Sequence, residues 1–425
     1  MSLFFDPIFR STTWSLLFLS MTAASIGVLV LLRKRTLIGE SLSHAAYPGL
    51  ILALIISSIW NSSHWLVAAC GALIASMLAI TLIHWLERRW LIAADSALCF
   101  TLTLFFGLGI LLASLIQKSH PVIYRHALGY LYGQATSLTD AHAITYGIIF
   151  STITLCILFF YKEIQTLTFD TNFAKTLGLS CALFDGALLI SMAVIITLGI
   201  RAVGVILMSA LLILPAVAAR QFVKKLSSFF ILATLFGAGS AILGISLSIK
   251  GAQWIDNLSL PTGPLIVLVA SFFCYASFLL APEKGLVSRL YRITVFRYRR
   301  LCENILKAIW RMGKTTSFKE LAAKQDVSPF FLRLVLSRLV RSGWIRRQEK
   351  GNYALTSDGK TRGAHLVRLH RLWEVYLATY LGAEKHRVHF SAEEIEHVLT
   401  PEIEAELVRL LHNPKRDPHQ QPIPR

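Results

Sequence analysis

The chain has 425 residues, 55% of them hydrophobic, and its mean hydropathy is +0.59. It is too apolar for an ordinary soluble enzyme or binding domain and too long for one compact core, so we predict a polytopic membrane protein. The net charge is +18, and 27 of the 42 lysines and arginines follow Pro282. Two physically different parts therefore share one polypeptide, and the basic C-terminal part is suited to nucleic acid or anionic lipid.

Nine apolar stretches are candidates to cross a bilayer, because about 20 apolar residues span a hydrocarbon core of about 30 Å. They are Trp14–Leu32, Ala45–Trp60, Trp65–Leu86, Leu91–Ile116, His142–Tyr161, Leu183–Ile200, Ala202–Ala219, Leu226–Ile249 and Pro264–Ala281. The sixth and seventh meet at Arg201, so eight spans are the alternative. Lysines and arginines fall on alternate loops, which should face the cytoplasm. The C-terminal third is then predicted to be cytoplasmic as well.

The stretch GESLSHAAYPG, at 39–49, places two ionisable residues at the edge of the second span. In a helix Glu40 and His44 share one face, and ionisable groups there cost about 2.5–3.5 kcal/mol unless they serve a function. A carboxylate and an imidazole at this spacing can bind a divalent cation. The alternative is a Glu–His hydrogen bond that caps the start of the helix. Weaker metal candidates near the spans are Asp95, Asp185, His120, His126 and His142.

This stretch resembles the Gly-Asp-Ala-x-Ser-His-Ala-x-x-Pro-Gly signature of the ABC permeases that import manganese, zinc or iron. The resemblance continues at 169–178, 203–216 and 261–264. It implies that Glu40 and His44 line the ion path, with glutamate where the family usually has aspartate. It also implies a location in the bacterial inner membrane and three partners, namely a separate ATPase subunit, a second permease subunit and a periplasmic metal-binding lipoprotein.

The chain itself carries no recognisable ATP-binding motif. The run at 313–315 is reminiscent of a P-loop, but that motif requires a glycine where Ala308 stands, and no predicted strand precedes it. We therefore predict that the chain is not an enzyme and that a separate subunit hydrolyses ATP. Short basic loops between spans are its predicted docking surface, with the candidates Asp170, Lys175, Arg220, Lys224 and Lys225.

The C-terminal third begins with apolar residues at helical spacing from Leu301. A second helix at 318–325 and a third that starts with the N-cap Ser328 and Pro329 predict a helix-turn-helix. A two-stranded wing is predicted at 346–355. The DNA-contacting candidates are Ser328, Arg333, Ser337, Arg338, Arg341, Arg346, Arg347 and Lys350. The alternative is a helical protein-interaction module with a solvated basic face.

Imidazoles and carboxylates cluster after the wing. A helix predicted at 359–381 carries His370 and Glu374 on one face, and Glu393 and His397 repeat that spacing beside Glu396 and His389. These ligand types suit Mn²⁺, Fe²⁺ or Zn²⁺, although a single His/Glu pair is more often an exposed ion pair.

As a set, these features resemble the diphtheria-toxin-repressor family of iron and manganese sensors. The resemblance implies one metal site formed by His370, Glu374 and His389. It implies a second site to which Glu393, Glu396 and His397 contribute. Two positions depart from that family: Asn304 stands where it has Met or Asp, and Lys307 stands where its manganese-type members have Glu. The whole arrangement is similar to the permease–repressor fusions of chlamydial metal-uptake operons.

We predict an all-α membrane domain at 1–282, a basic juxtamembrane linker at 283–300, a winged helix-turn-helix at 301–365 and a metal-binding and dimerisation domain at 366–425. The predicted function is import of Mn²⁺ or Fe²⁺, with Zn²⁺ as an alternative, joined to repression by a homodimer that uses the ion as corepressor and binds operator DNA. Nine tethered spans would hinder half-sites about 34–36 Å apart, so proteolytic release between 282 and 300 is also predicted. The alternative function is a permease whose C-terminal domain senses metal to regulate transport without binding DNA.

Overall fold

The computed structural model describes residues 6 and 9–424, except for 60–64, 255–259, 314, 326, 349–350, 383–392, 394, 396 and 398–399. Contacts divide the chain into two compact units, Met1–Ser288 and Arg289–Arg425. Each unit has a hydrophobic core of its own. The predicted fold class, a helical membrane domain followed by a winged helix-turn-helix and a helical domain, is confirmed.

Long apolar helices make up most of the first unit. They are α1 Arg10–Leu32, α2 Thr36–Ile59, α3 Trp65–Arg89, α4 Ala94–Ser119, α6 Asp140–Phe159, α9 Cys181–Val203, α10 Val205–Arg220, α11 Leu226–Trp254 and α12 Thr262–Leu280. Shorter helices lie between them: α5 Pro121–Tyr132, α7 Tyr161–Phe169 and α8 Thr171–Thr176. Within the described residues, eight helices are long and apolar enough to cross a membrane, and α10 is a shorter apolar helix of 16 residues. Gly204, with a φ of 100°, separates α9 from α10 at the junction that the sequence left open.

Helix α2 differs from the predicted second span, since it begins at Thr36 and not near Ala45. The polar residues Ser41 and Ser43 do not end the helix, because their hydroxyl groups donate hydrogen bonds to backbone carbonyls. The Ser43 hydroxyl donates to the Gly39 carbonyl at 2.8 Å, and the Ser41 hydroxyl donates to the Leu98 carbonyl of α4 at 3.1 Å. Glu40 and His44 therefore lie inside the helix and not at its edge.

Helices α2 and α3 approach closely where glycines face each other. A Cβ atom added to Gly49 would overlap the carbonyl oxygen of Gly71, whereas one added to Gly107 on α4 would meet nothing within 4 Å. We expect Gly49→Val to destabilise the membrane unit by about 1–3 kcal/mol, because overpacking forces helices apart. Thermal unfolding in detergent measures this effect, with Gly107→Val as the matched control. Equal unfolding midpoints for the two variants would contradict the packing described here.

The second unit begins in a long helix and continues through a small sheet. Its elements are α13 Leu286–Met312, β1 Thr316–Ser317, α14 Phe318–Lys324, α15 Pro329–Arg341, β2 Ile345–Arg347, β3 Asn352–Leu355, α16 Ser357–Tyr380 and α17 Pro401–Leu410. The core packs Leu301, Ile305 and Ile309 of α13 with Leu332 and Leu336 of α15. This packing holds the helix-turn-helix as one body.

The structure adds two features to the predicted second unit. The wing belongs to a three-stranded antiparallel sheet in the order β1-β3-β2, in which Thr316 pairs with Tyr353 and Ile345 pairs with Leu355. Strand β1 has only two residues, too few for an alternating pattern to be visible. Helix α13 starts at Leu286, inside the predicted linker, because 286–312 contains neither glycine nor proline.

Candidate metal sites and nucleic-acid interface

The first candidate site lies on α2. Glu40 is exposed and His44, one turn later, is half-buried. The His44 ring meets the Phe106 ring edge-on with centroids 4.6 Å apart, and its Nδ1 atom is buried without a hydrogen-bond partner. The hydroxyl of Tyr47 is likewise buried without one. Buried polar atoms are normally satisfied, so this arrangement leaves an imidazole nitrogen available to a passing cation.

Two of the weaker candidates in the membrane unit have protein partners instead. Arg33 Nη2 lies 3.1 Å from Asp185 Oδ1, which neutralises that carboxylate. The backbone N–H of Thr139 donates to His142 Nδ1 at 3.2 Å, so this imidazole caps the start of α6. The Nε2 atom of His142 is nevertheless buried without a hydrogen-bond partner, as Nδ1 of His44 is. Glu40 with His44 remains the better ion-path candidate, because His44 also has a carboxylate one turn away on the same helix.

The predicted docking residues for an ATPase lie on two connections between long helices. Asp170 is exposed and caps α8 by accepting a hydrogen bond from the Phe173 backbone at 2.9 Å. Helix α8 and the residues after it expose large apolar side chains, with Phe173 53% and Leu177 57% exposed. On the second connection Lys224 Nζ contacts Glu283 at 2.7 Å. The remaining docking candidates, all exposed, are Lys175, Arg220 and Lys225.

The helix-turn-helix forms as its caps predict. The Ser317 hydroxyl and the Glu320 carboxylate form a capping box at the start of α14. The Ser328 hydroxyl accepts a hydrogen bond from the Phe331 backbone at the start of α15. Helix α15 buries Leu332, Val335, Leu336 and Leu339. The opposite face exposes Arg333, Ser337, Arg338 and Arg341.

Other basic residues extend this exposed face. Arg346 and Arg347 on β2 are exposed, whereas Lys350 lies outside the described residues. Two arginines of α15 are held against aromatic rings: Arg333 lies 5.5 Å from the Phe318 ring centroid and Arg338 lies 5.9 Å from that of Tyr298. Helix α15 thus carries oriented guanidinium groups that can bind phosphates or base edges.

The first regulator site is a buried pair on α16. His370 is 0% and Glu374 is 2% exposed, and His370 Nε2 lies 3.1 Å from Glu374 Oε1. An exposed surface ion pair is therefore excluded for this pair. Buried ionisable groups of this kind need a partner or a metal, and the donor set fits a divalent transition metal. Among the described residues no group of three His, Cys, Asp or Glu side chains converges, but the third predicted ligand, His389, lies outside them.

Two arginines of α16 form hydrogen bonds and ion pairs with the C-terminal segment. The sequence did not predict these contacts. Arg371 Nε lies 3.3 Å from the buried Asp417, and its guanidinium also donates to the Pro422 carbonyl. Arg368 bonds to Glu404 at 3.0 Å and to the Pro424 carbonyl at 3.0 Å. Burial lowers the pKa of Arg371, and the neighbouring Asp417 opposes this effect. The segment is therefore anchored on the helix that carries His370 and Glu374.

The second regulator site differs from the predicted ligand set. Lys307 of α13 is 3% exposed, and its Nζ atom lies 3.5 Å from Glu393 Oε1. One turn earlier on α13, Glu303 Oε2 lies 2.6 Å from His397 Nδ1. Burial alone would raise the pKa of Glu303, but hydrogen bonds from His397 and Arg299 outweigh it and hold that pKa below its ordinary value. Glu396 lies outside the described residues.

Comparison with known proteins identifies the first unit. The family model described as the ABC 3 transport family matches residues 6–281, more than half of the chain. The chain belongs to the ABC 3 transport family. A second model, for the metal-binding and dimerisation domain of iron-dependent repressors, matches residues 356–425 of this ABC 3 protein. Both predicted resemblances are thereby confirmed.

The likeness extends over the full length of some relatives. This ABC 3 protein is 34% identical over 441 residues to a probable metal transport system membrane protein of Chlamydia trachomatis, covering 100% of this chain and 97% of that protein. It is 32% identical to the manganese transport system membrane protein MntC of Bacillus subtilis, over 86% of this chain and 84% of that protein. The solved structure of PsaBC from Streptococcus pneumoniae in complex with a Fab matches 69% of this chain and 97% of its own, with 25% identity and a TM-score of 0.58.

Proposed function

We propose that the chain is the permease subunit of an ABC importer for a divalent transition metal and that its C-terminal part represses transcription when it binds the same ion. One observation carries this proposal: an ABC 3 transport domain and a repressor-type metal-binding and dimerisation domain occupy one chain. The chlamydial relative, which matches over the whole chain, is described as a probable metal transport protein. Import would then supply the ion that represses.

The ion proposed is Mn²⁺ or Fe²⁺, with Zn²⁺ as an alternative. Glutamate carboxylates and histidine imidazoles, such as those of His44 and His370, can bind all three ions. The availability of each ion in the cell often decides which one is bound. The description of the Bacillus relative as a manganese transport protein supports Mn²⁺ as the first ion to test.

In the proposed transport cycle the ion passes Glu40 and His44 on α2, and a separate ATPase subunit supplies the energy. The exposed apolar surface around Phe173 and the basic connection at 220–225 are its proposed docking sites. A second permease subunit and a periplasmic metal-binding lipoprotein complete the proposed importer. The positive charge of alternate loops supports a cytoplasmic position for the C-terminal unit.

In the proposed regulator, the ion binds His370 and Glu374 together with His389. This binding favours a dimer whose α15 helices enter successive major grooves. The domains proposed remain 1–282, 283–300, 301–365 and 366–425.

Release of the regulator by proteolysis is proposed at the exposed stretch Pro282–Glu283–Lys284 between α12 and α13. Helical residues would need local unfolding before cleavage, so α13 itself is a poor site. Blotting cells with a C-terminal tag on the chain tests this step. Finding full-length chain alone at every metal supply would contradict it.

The direct test of the repressor function is binding of the full chain, in detergent, to DNA from upstream of its own gene. We expect tight binding with Mn²⁺ and weak binding after chelation. Arg341→Ala should weaken binding to all sequences and lower the slope of log affinity against log salt by about 1, because one phosphate contact is lost.

Arg409→Ala on α17 is the matched control, since Arg409 is exposed and contacts Glu406 at 2.6 Å. It should leave both quantities unchanged. If the parent chain, both intact and after cleavage at 282–284, binds no DNA with or without metal while its transport still responds to metal, the alternative function, direct regulation of transport, replaces this proposal.

A further inference from the structure

We infer that the ammonium group of Lys307 takes the place of the second metal ion, so that the regulator binds one ion per chain and not two. This inference rests on the proposed function, because it concerns the same metal-sensing domain. It also states a disagreement with the ligand set that the family resemblance implies, in which Glu393, Glu396 and His397 contribute to a second site.

The position of Lys307 carries the argument. Lys307 is only 3% exposed, and its Nζ atom lies 3.5 Å from the Glu393 carboxylate. A protonated amine has no lone pair to offer a metal, and its positive charge neutralises the carboxylate that would attract one. Lys307 therefore cannot act as a metal ligand. Its ammonium group is itself the cation that occupies this site.

The neighbouring pair, Glu303 and His397, does not by itself show whether a second metal ion binds. A carboxylate on one nitrogen of a histidine often orients the other nitrogen toward a metal, so the contact between Glu303 and His397 Nδ1 at 2.6 Å would suit a ligand histidine. The difference lies one turn along α13, where a manganese-type regulator would present a carboxylate and this chain presents Lys307. Lys307 is therefore the residue that changes the site.

The cavity beside Lys307 and Glu393 is also unfavourable to a cation. It has a volume of about 870 Å³, and five of its described lining residues are lysines or arginines: Arg297, Arg300, Lys307, Arg311 and Lys324. Glu393 is the one carboxylate among the described lining residues. A divalent cation that approached Glu393 would therefore meet like charges on several sides, and their repulsion would weaken its binding further.

The consequence is a regulator with one metal-responsive site in place of two. The contact between Lys307 of α13 and Glu393, which joins the DNA-binding part to the metal-binding part, forms without an ion because Lys307 supplies the charge. Only the site at His370 and Glu374 then responds to metal. Repression should accordingly follow a single binding event in each chain.

Equilibrium dialysis of the full chain in detergent against excess Mn²⁺, followed by metal analysis, tests this inference by counting bound ions. Glu393→Gln should leave the count unchanged, because the partner of Glu393 is a lysine. The double variant Lys307→Met with Glu393→Gln, which removes both charges of this contact, should also leave it unchanged and covers the case in which Glu393→Gln alone fails to fold. A fall of one ion per chain in a folded variant overturns the inference.

Lys307→Glu should raise the count by one ion per chain, because it supplies the carboxylate and removes the resident cation. Lys324→Glu is the matched control, since it makes the same charge change in the cavity at an exposed residue that does not contact Glu393, and it should add no ion. An unchanged count in Lys307→Glu would show that the ammonium is not what keeps the ion out. His370→Ala tests the proposed function separately: it should remove one ion whatever the result at Lys307.

Discussion

Replacing His44 by alanine is expected to lower metal accumulation by about 100-fold or more. The Nδ1 atom of His44 is buried without a hydrogen-bond partner, so this nitrogen is available to the ion on the proposed path. Loss of residues that only orient a metal ligand typically costs 10–100-fold in metal affinity, and loss of a direct ligand should cost at least as much. Uptake of radiolabelled Mn²⁺ measures the effect in cells that also express the ATPase and binding-protein partners.

The control is His84→Ala on α3. His84 is also half-buried in a long apolar helix, but its Nδ1 atom bonds to the Ile80 carbonyl at 3.1 Å. It should transport normally. Glu40→Asp, which introduces the residue usual in the resembled permeases, should retain most of the uptake. Normal uptake by His44→Ala would remove this residue from the ion path.

Replacing His370 by alanine should weaken metal-triggered DNA binding, raising the Mn²⁺ concentration that gives half-maximal binding by about 100-fold or more. His370 is fully buried and lies 3.1 Å from Glu374, so alanine removes a proposed ligand from a buried site. It also removes one partner of the buried Glu374, and a buried polar group that loses a hydrogen-bond partner costs about 1–3 kcal/mol. A melting curve must therefore accompany the binding curve.

Glu374→Gln separates folding from sensing, because the amide keeps the shape of the side chain and removes its charge. It should fold and still fail to respond to metal. His365→Ala is the control on the same helix: His365 is exposed and lies 3.8 Å from Glu404, so its loss should change neither curve. A folded His370 variant that responds normally to Mn²⁺ would show that the sensing site lies elsewhere.

The sequence predicted those features that depend on long or repeated patterns. Apolar runs such as Leu226–Ile249 became α11, and the cap at Ser328 with Pro329 started α15 where expected. The spacing of His370 and Glu374 placed them on one helical face, and the structure brings their side chains to 3.1 Å. Periodicity and capping are local, so one sequence is enough to predict them.

Contacts between distant segments were not predictable in the same way. No local pattern marks Glu303 as the partner of His397, 94 residues later in the chain. Lys307 was recognisable as a departure from the resembled family, but its burial and its contact with Glu393 depend on how α13 packs. Strand β1 was missed because its two residues acquire strand geometry only by pairing with β3.

Counting bound Mn²⁺ in the variants His44→Ala, His370→Ala and their combination tests the central claim most directly, since each half is proposed to bind the ion through an imidazole. Each single variant should bind one ion fewer per chain than the parent, and the combination should bind two fewer. A combined variant that remains folded and binds as many ions as the parent would contradict the account.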